Sequence, residues 1–338
     1  MKAEAIEAGM KKVGRLLAAM LLGCFACVCS FGQNATHSSN AMVSGQVAGS
    51  GASEQEEAPS TTFKVDVKLV NVFVSVQDAN GAPVSSLKKD NFELLEDGHP
   101  EKIAVFSRES ELPLSIVLGV DASLSTKKDL RVELESARRF ARSILRPIDT
   151  LSLYEFSEVV DEIVPFTGDM RRIDRGIEQI RVGTATALYD AVYLGAQALE
   201  KRRGRKVMVL ITDGGDTMSK VNYQDALRAA EEAEAIIYSI IIVPIEADAG
   251  RDIGGEHALI ELSRETGGKH YYATSIPTLD KAFQKISEQL RTQYLLAYYP
   301  SRRVTDSQFR RIQIHVVGEG DDSMRARYRA GYYTTKSH

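Results

Sequence analysis

The segment Asp121-Ala122-Ser123-Leu124-Ser125 sets one carboxylate and two hydroxyls at alternate positions directly after the apolar run 114–120. Oxygen donors of this kind suit a hard divalent cation; a softer metal would call for thiolates or imidazoles. Two other segments offer the same chemistry. Gly183-Thr184-Ala185-Thr186-Ala187-Leu188-Tyr189-Asp190 places hydroxyls at the start of a helical pattern, and Thr212-Asp213-Gly214-Gly215 closes a second apolar run. Together Asp121, Ser123, Ser125, Thr186 and Asp213 form an all-oxygen set compatible with octahedral Mg²⁺, or with Mn²⁺ or Ca²⁺. Asp-x-Ser-x-Ser alone is more often a turn or a helix cap, because Asp and Ser are favoured at both. The two companion segments move the reading to a metal site.

These residues need a frame that brings three loops to one place. From Pro113 onward, buried strand patterns (114–120, 151–156, 159–166, 207–211, 236–243, and a short one at 270–272) alternate with amphipathic helical ones (130–144, 170–180, 188–199, 223–234, 257–264, 279–291). The alternation predicts a doubly wound, mainly parallel α/β sheet over residues 111–291. In such sheets ligands bind beyond the carboxyl ends of the strands, where Asp121 and Asp213 fall.

The flanks read differently. Strict alternation at 63–69, a slip of phase at Val70, a second alternation through Val76, and the Asn80-Gly81 pair predict strands joined by a turn. Further strands at 92–95 and 103–106 bracket Glu96-Asp97-Gly98, and the tail returns to strand pattern at 294–299, 311–317 and 324–333. An antiparallel set this small is marginal alone, so segments 61–110 and 292–338 are expected to combine into one smaller antiparallel β-module.

Lys11, Lys12 and Arg15 precede an apolar run to Phe31, the pattern of a secretory signal peptide over 1–32. Cleavage before Gln33 is favoured over lipidation at Cys24, which Leu21-Leu22-Gly23-Cys24 would otherwise suggest. All three cysteines lie in this segment, so a cleaved chain has no disulfide and no thiol chemistry. Cleavage also removes four basic and two acidic residues, taking the formal charge from −4 to −6. Residues 33–60, rich in Ser, Gly, Ala and Gln, are read as a disordered linker. The localisation expected is export, to the periplasm, the cell envelope or the exterior.

Asp-x-Ser-x-Ser, a helix-opening Thr and a strand-ending Thr-Asp-Gly together resemble the metal-ion-dependent adhesion site of von Willebrand factor type A domains. The flanking β segments, with Asp97-Gly98 and Arg329-Ala330-Gly331-Tyr332, resemble the exported bacterial VWFA-related family of Acidobacterial type. The resemblance implies that Ser123, Ser125 and Thr186 touch the metal, that Asp121 and Asp213 act through water, and that a partner's Asp or Glu completes the coordination. It also favours Thr186 over Thr184, because Thr186 stands directly before Ala187-Leu188-Tyr189-Asp190. Leu124 departs from the commoner glycine. Neutral hydroxyl ligands would leave much of the cation's charge available to an incoming carboxylate.

The expected function is thus cation-dependent binding of a protein ligand, as in cell adhesion, without catalysis. The alternatives are a Mg²⁺-dependent phosphoryl hydrolase or transferase and a metal-free structural envelope module. An aspartyl nucleophile would need a second aspartate two residues after Asp121, and Ser123 has no recognisable base. Six scattered histidines show no zinc or triad spacing. No phosphate loop or dinucleotide fingerprint occurs, so no small-molecule substrate is indicated. The run 201–206 is read as a solvated helix end and not as a nucleic-acid patch, Asp190 and Asp216 as a helix-face and a loop residue, and the paired tyrosines as packing residues.

Overall fold

The computed structural model describes residues 69–108, 112–123, 130–243, 253–302, 308–318 and 323–334. The expected signal peptide, the linker, the cysteines, the strand at 63–68 and Ser125 lie outside them.

The first four strands, β1 (Val70–Gln77), β2 (Phe92–Glu96), β3 (His99–Glu101) and β4 (Ile103–Ser107), come from the N-terminal flank. In β1 the residues Val70, Val72, Val74 and Val76 are all buried, as their alternation requires. The Asn80-Gly81 turn forms with Asp78 Oδ1 accepting the amides of Asn80 and Ala82, and Gly81 takes a φ of +79°, a value glycine adopts without penalty.

The α/β frame follows: β5 (Leu114–Asp121), α1 (Leu130–Ile144), β6 (Thr150–Phe156), β7 (Val160–Thr167), α2 (Met170–Ile177), α3 (Leu188–Glu200), β8 (Arg205–Thr212), α4 (Tyr223–Glu232), β9 (Ile236–Ile242), α5 (Ile253–Glu265), β10 (His270–Ala273) and α6 (Ile276–Arg291). Its sheet has the order β10-β9-β8-β5-β6-β7. All neighbours are parallel except β6 and β7, which form an antiparallel edge. β5 lies at the centre and every residue of it is buried, which is why its sequence is apolar almost throughout. One core cluster packs α1, α2 and α6 on one face and another packs α3, α4 and α5 on the other.

The C-terminal strands β11 (Tyr294–Tyr298), β12 (Phe309–Val316), β13 (Arg325–Arg327) and β14 (Gly331–Tyr333) return to the first four. They make two antiparallel sheets, β13-β1-β11-β4 and β14-β12-β2-β3. The inner faces of both share one apolar cluster that includes Val72, Val74, Leu94, Leu296, Ile312 and Ile314. The fold is therefore a mainly parallel α/β sheet with a smaller antiparallel β-module built from both flanks.

One expected strand, 324–333, is in fact two, in different sheets. Between them Ala330 N donates to Glu265 O, Arg329 Nη2 donates to Asn71 O and Ala330 O accepts from Ile312 N of β12, so the connection is held by three separate neighbours. Gly331 then passes so close to β12 that a Cβ there would stand 2.1 Å from Arg310 O. The basic run 201–206 also departs from the solvated reading. Arg205 is buried with Nη1 donating to Leu290 O, and Arg202 reaches the hydroxyls of Ser115 and Thr150. Tyr271, Tyr298 and Tyr332 pack as expected, whereas Tyr272 and Tyr299 are exposed.

Candidate metal and partner site

Asp121 ends β5 at the carboxyl edge of the sheet and is fully buried. Its Oδ1 accepts from the Ser123 amide at 2.9 Å, an Asx turn that bends the chain out of the strand. Its Oδ2 accepts from Thr212 Oγ1 at 2.6 Å, which joins the ends of the adjacent strands β5 and β8. Thr212 Oγ1 in turn accepts from Gly214 N at 3.1 Å and so shapes the turn that carries Asp213. Burial pushes the Asp121 carboxyl up to about 6, against the pull of Thr212 and of the Ser123 amide and hydroxyl, and the negative charge of Asp213 adds to the rise.

The other loops are tied to this one through backbone groups. Ala122 N donates to Phe156 O, and Gly183 N donates to Ala122 O at 2.8 Å, so the loop between α2 and α3 lies against the residue between Asp121 and Ser123. Gly183 is required there: a Cβ would stand 2.4 Å from Ser157 Oγ and 2.5 Å from Glu158 Oε2. Glu158 accepts the Thr184 amide at 2.7 Å, and that bond above all holds its carboxyl below the ordinary glutamate value. Thr186 is buried, its N donates to Thr217 Oγ1, and its O accepts from the amides of Thr217 and Met218. The start of α3 is thereby fastened to the loop after β8. Asp216 Oδ1 accepts from Tyr189 N at 3.3 Å and Asp190 Oδ1 from the amides of Lys220 and Val221, both at 2.9 Å.

The structure thus gathers Asp121, Ser123 and Asp213 at the ends of β5 and β8, with the Thr186 loop bonded to both. Ser125 lies outside the described residues. Thr184 gives its amide to Glu158, at the β6–β7 turn. Among the described residues no group of three or more His, Cys, Asp or Glu side chains forms a metal cluster, so a cation here would rely on hydroxyls. The sequence reading assigned no role to Thr212, Gly183, Ser157 or Glu158. It placed Asp190 and Asp216 correctly on a helix and in a loop but not as the clamps between two loops. A hydroxyl one residue before a strand-ending aspartate was the available signal for Thr212.

Among solved structures the fold is similar to the PilB minor pilin from Streptococcus sanguinis, with a TM-score of 0.42, 14% identity, and 54% of this chain and 62% of that one covered. It is also similar to the vWF domain of the type V pili tip protein Mfa5 from Porphyromonas gingivalis (TM-score 0.42, 12% identity, covering 52% and 94%). Proximal thread matrix protein 1 from the mussel byssus gives a TM-score of 0.47 at 15% identity, covering 58% and 51%. The chain spans less than two thirds of the pilin and of the byssus protein. No curated protein matches the sequence. Residues 116–215, from β5 to the turn after β8, match the family model of the von Willebrand factor type A domain, and they carry Asp121, Ser123, Thr186 and Asp213.

Proposed function

We propose that this chain is an exported, non-enzymatic protein-binding module that recognises an Asp or Glu of a partner protein through a divalent cation, Mg²⁺ or else Mn²⁺ or Ca²⁺, held by Ser123, Ser125, Thr186, Asp121 and Asp213. The observation that carries this reading is the convergence, at the carboxyl edge of the sheet, of Asp121, Ser123, the turn that carries Asp213 and the loop that carries Thr186, all tied by hydrogen bonds. A cation between loops of this kind would answer the charge of the buried Asp121 carboxylate.

The donor set fits such an ion. Both oxygens of Asp121 already accept hydrogen bonds, from Ser123 N and Thr212 Oγ1, which suits a carboxylate acting through water. Ser123 and Thr186 supply neutral hydroxyl oxygens from neighbouring loops, and Asp213 adds charge. When bound, the cation supplies a positive centre for an incoming carboxylate. The chain's own residues position the loops: Thr212 fixes Asp121, Gly183 admits the α2–α3 loop, and Thr217 holds Thr186. Export rests on the sequence of residues 1–32. Among the described residues no helix is long and apolar enough to cross a membrane.

The test is affinity capture from an envelope extract with Mg²⁺, followed by elution with a chelator. The partner is expected to elute, and to be absent when Thr186→Ala is the bait. Capture that survives both changes would defeat the cation-bridged reading, and Mg²⁺-dependent turnover of a phosphoester by the purified chain would replace it.

A further inference from the structure

Asp213 stands between two residues that are each held in place, Thr212 and Gly214. Thr212 is fully buried, and its hydroxyl bonds Asp121 on one side and the Gly214 amide on the other. Gly214 takes a φ of +101°, a conformation open to glycine and strained for other residues. The far side of this turn meets the first turn of α5.

The contact is backbone on backbone. A Cβ at Gly255 would stand 1.5 Å from Gly214 O and 2.4 Å from Gly214 C, which leaves no room for any side chain. From the other side, a Cβ at Gly214 would stand 3.1 Å from Glu256 N. The two glycines let helix and turn touch directly. Glycine weakens a helix relative to alanine, and Gly255 is buried, so α5 gives up intrinsic propensity at the place where the contact demands it.

α5 is itself fastened to the sheet. Leu259 and Leu262 are fully buried in the core cluster on this face. Ser239 Oγ of β9 donates to Leu259 O at 3.4 Å and accepts from Ser263 Oγ at 3.0 Å. Tyr272 Oη of β10 donates to Glu256 Oε1, beside Gly255. β9 in turn pairs with β8 as far as Thr212, opposite Ile241. The path from Asp213 through Gly214 to α5, and back through β9 to Thr212, is closed by packed or bonded contacts at every step.

We propose that Gly255 is a positioning residue for the candidate cation site and that α5 is a further segment of that site. Its first turn closes on Gly214 because residue 255 has no side chain, and so fixes the turn that presents Asp213. The inference rests on the cation reading and deepens it. A larger residue at 255 would push the turn outward and carry Asp213 away from Asp121 without removing any ligand oxygen.

The experiment is calorimetric titration of Mg²⁺ into the full chain, natural, Gly255→Ala and Gly268→Ala. Gly268 is the control: a Cβ there would stand 1.9 Å from Ile237 O, a comparable crowding of backbone, but at the opposite edge of the sheet, where β9 and β10 begin. Gly255→Ala is expected to weaken Mg²⁺ binding roughly tenfold or more, the usual scale for a residue that orients a ligand, while Gly268→Ala stays within about twofold of the natural chain. In metal-free protein, hydrogen exchange at the Gly214 amide should quicken in Gly255→Ala, because its bond to Thr212 depends on the turn. One further reading needs no variant to fold: in the natural chain, saturating Mg²⁺ should slow exchange at Gly214 and Glu256 together. Natural affinity in Gly255→Ala, or an equal loss in both variants, would overturn the positioning role and leave the cation reading standing. Protection at Gly214 without Glu256 would overturn it too. Failure of the natural chain to take up Mg²⁺ would defeat the cation reading and this inference with it.

Discussion

Glu96 and Asp121 are both withdrawn completely from solvent, one in the β-module and one at the edge of the parallel sheet, and their surroundings differ in kind. Glu96 accepts from Tyr298 Oη at 2.7 Å, Tyr332 Oη at 2.8 Å and Arg310 Nη1 at 2.6 Å, so its charge is answered within the chain. Asp121 accepts from an amide and from hydroxyls, all neutral, and the charge that acts on it from Asp213 has the same sign. The first arrangement locks two sheets together, because Tyr298 belongs to one and Glu96, Arg310 and Tyr332 to the other. The second leaves a buried carboxylate with no counter-charge from its bonded partners, the charge that a cation would supply on the proposed reading.

The contrast predicts a graded set of outcomes. Glu96→Ala leaves the Arg310 guanidinium and two tyrosine hydroxyls in the interior without their acceptor, and should lower unfolding free energy by ~3–5 kcal/mol with or without Mg²⁺. Urea denaturation measures it, and a loss below ~1 kcal/mol would remove the lock from the account. Thr212→Val deletes the bond to Asp121 and the acceptor of Gly214 N. It should cost ~1–3 kcal/mol and also weaken cation uptake, which calorimetry reads.

A third carboxylate lies between these extremes. Glu231 is pushed up to about 7, chiefly by burial and then by Glu265 and Glu232, while Arg228 and Arg329 pull it down. Its folded pKa lies above the ordinary glutamate value of 4.5, so the folded state holds its proton more tightly than the unfolded chain does. Stability from this group is present below the unfolded value and lost as pH rises through about 7. Glu231→Gln should therefore flatten thermal stability between pH 4.5 and 7, gaining ~1–2 kcal/mol at pH 7.5 once its partial exposure is allowed for. An unchanged pH profile would show that the group does not titrate in this window. The smallest effect on folding belongs to Thr186→Ala. Thr186 holds its neighbours through backbone N and O, so metal-free stability should fall by less than ~1 kcal/mol in a urea titration.

What was legible in the sequence was local. The runs 114–120 and 207–211 announce buried parallel strands because a central strand must be apolar on both faces, and β5 is. Asp121 and Asp213 could be placed at strand ends for the same reason. What escaped depends on residues far apart in sequence. Glu96 and Arg310 are 214 positions apart, and neither lies in a pattern that names the other. The break between β13 and β14 comes from contacts with Asn71, Glu265 and Arg310, which periodicity within 324–333 does not encode. Arg205 looked solvated because its neighbours are basic, but the strand it begins carries it inside, to Leu290 O.

Calorimetric titration of Mg²⁺ into metal-free protein, run beside Thr186→Ala, tests the central claim most directly. One saturable site in the natural chain and none in the variant, with both equally folded, is the predicted result. Equal heats in the two proteins, or no uptake by the natural chain, would contradict it.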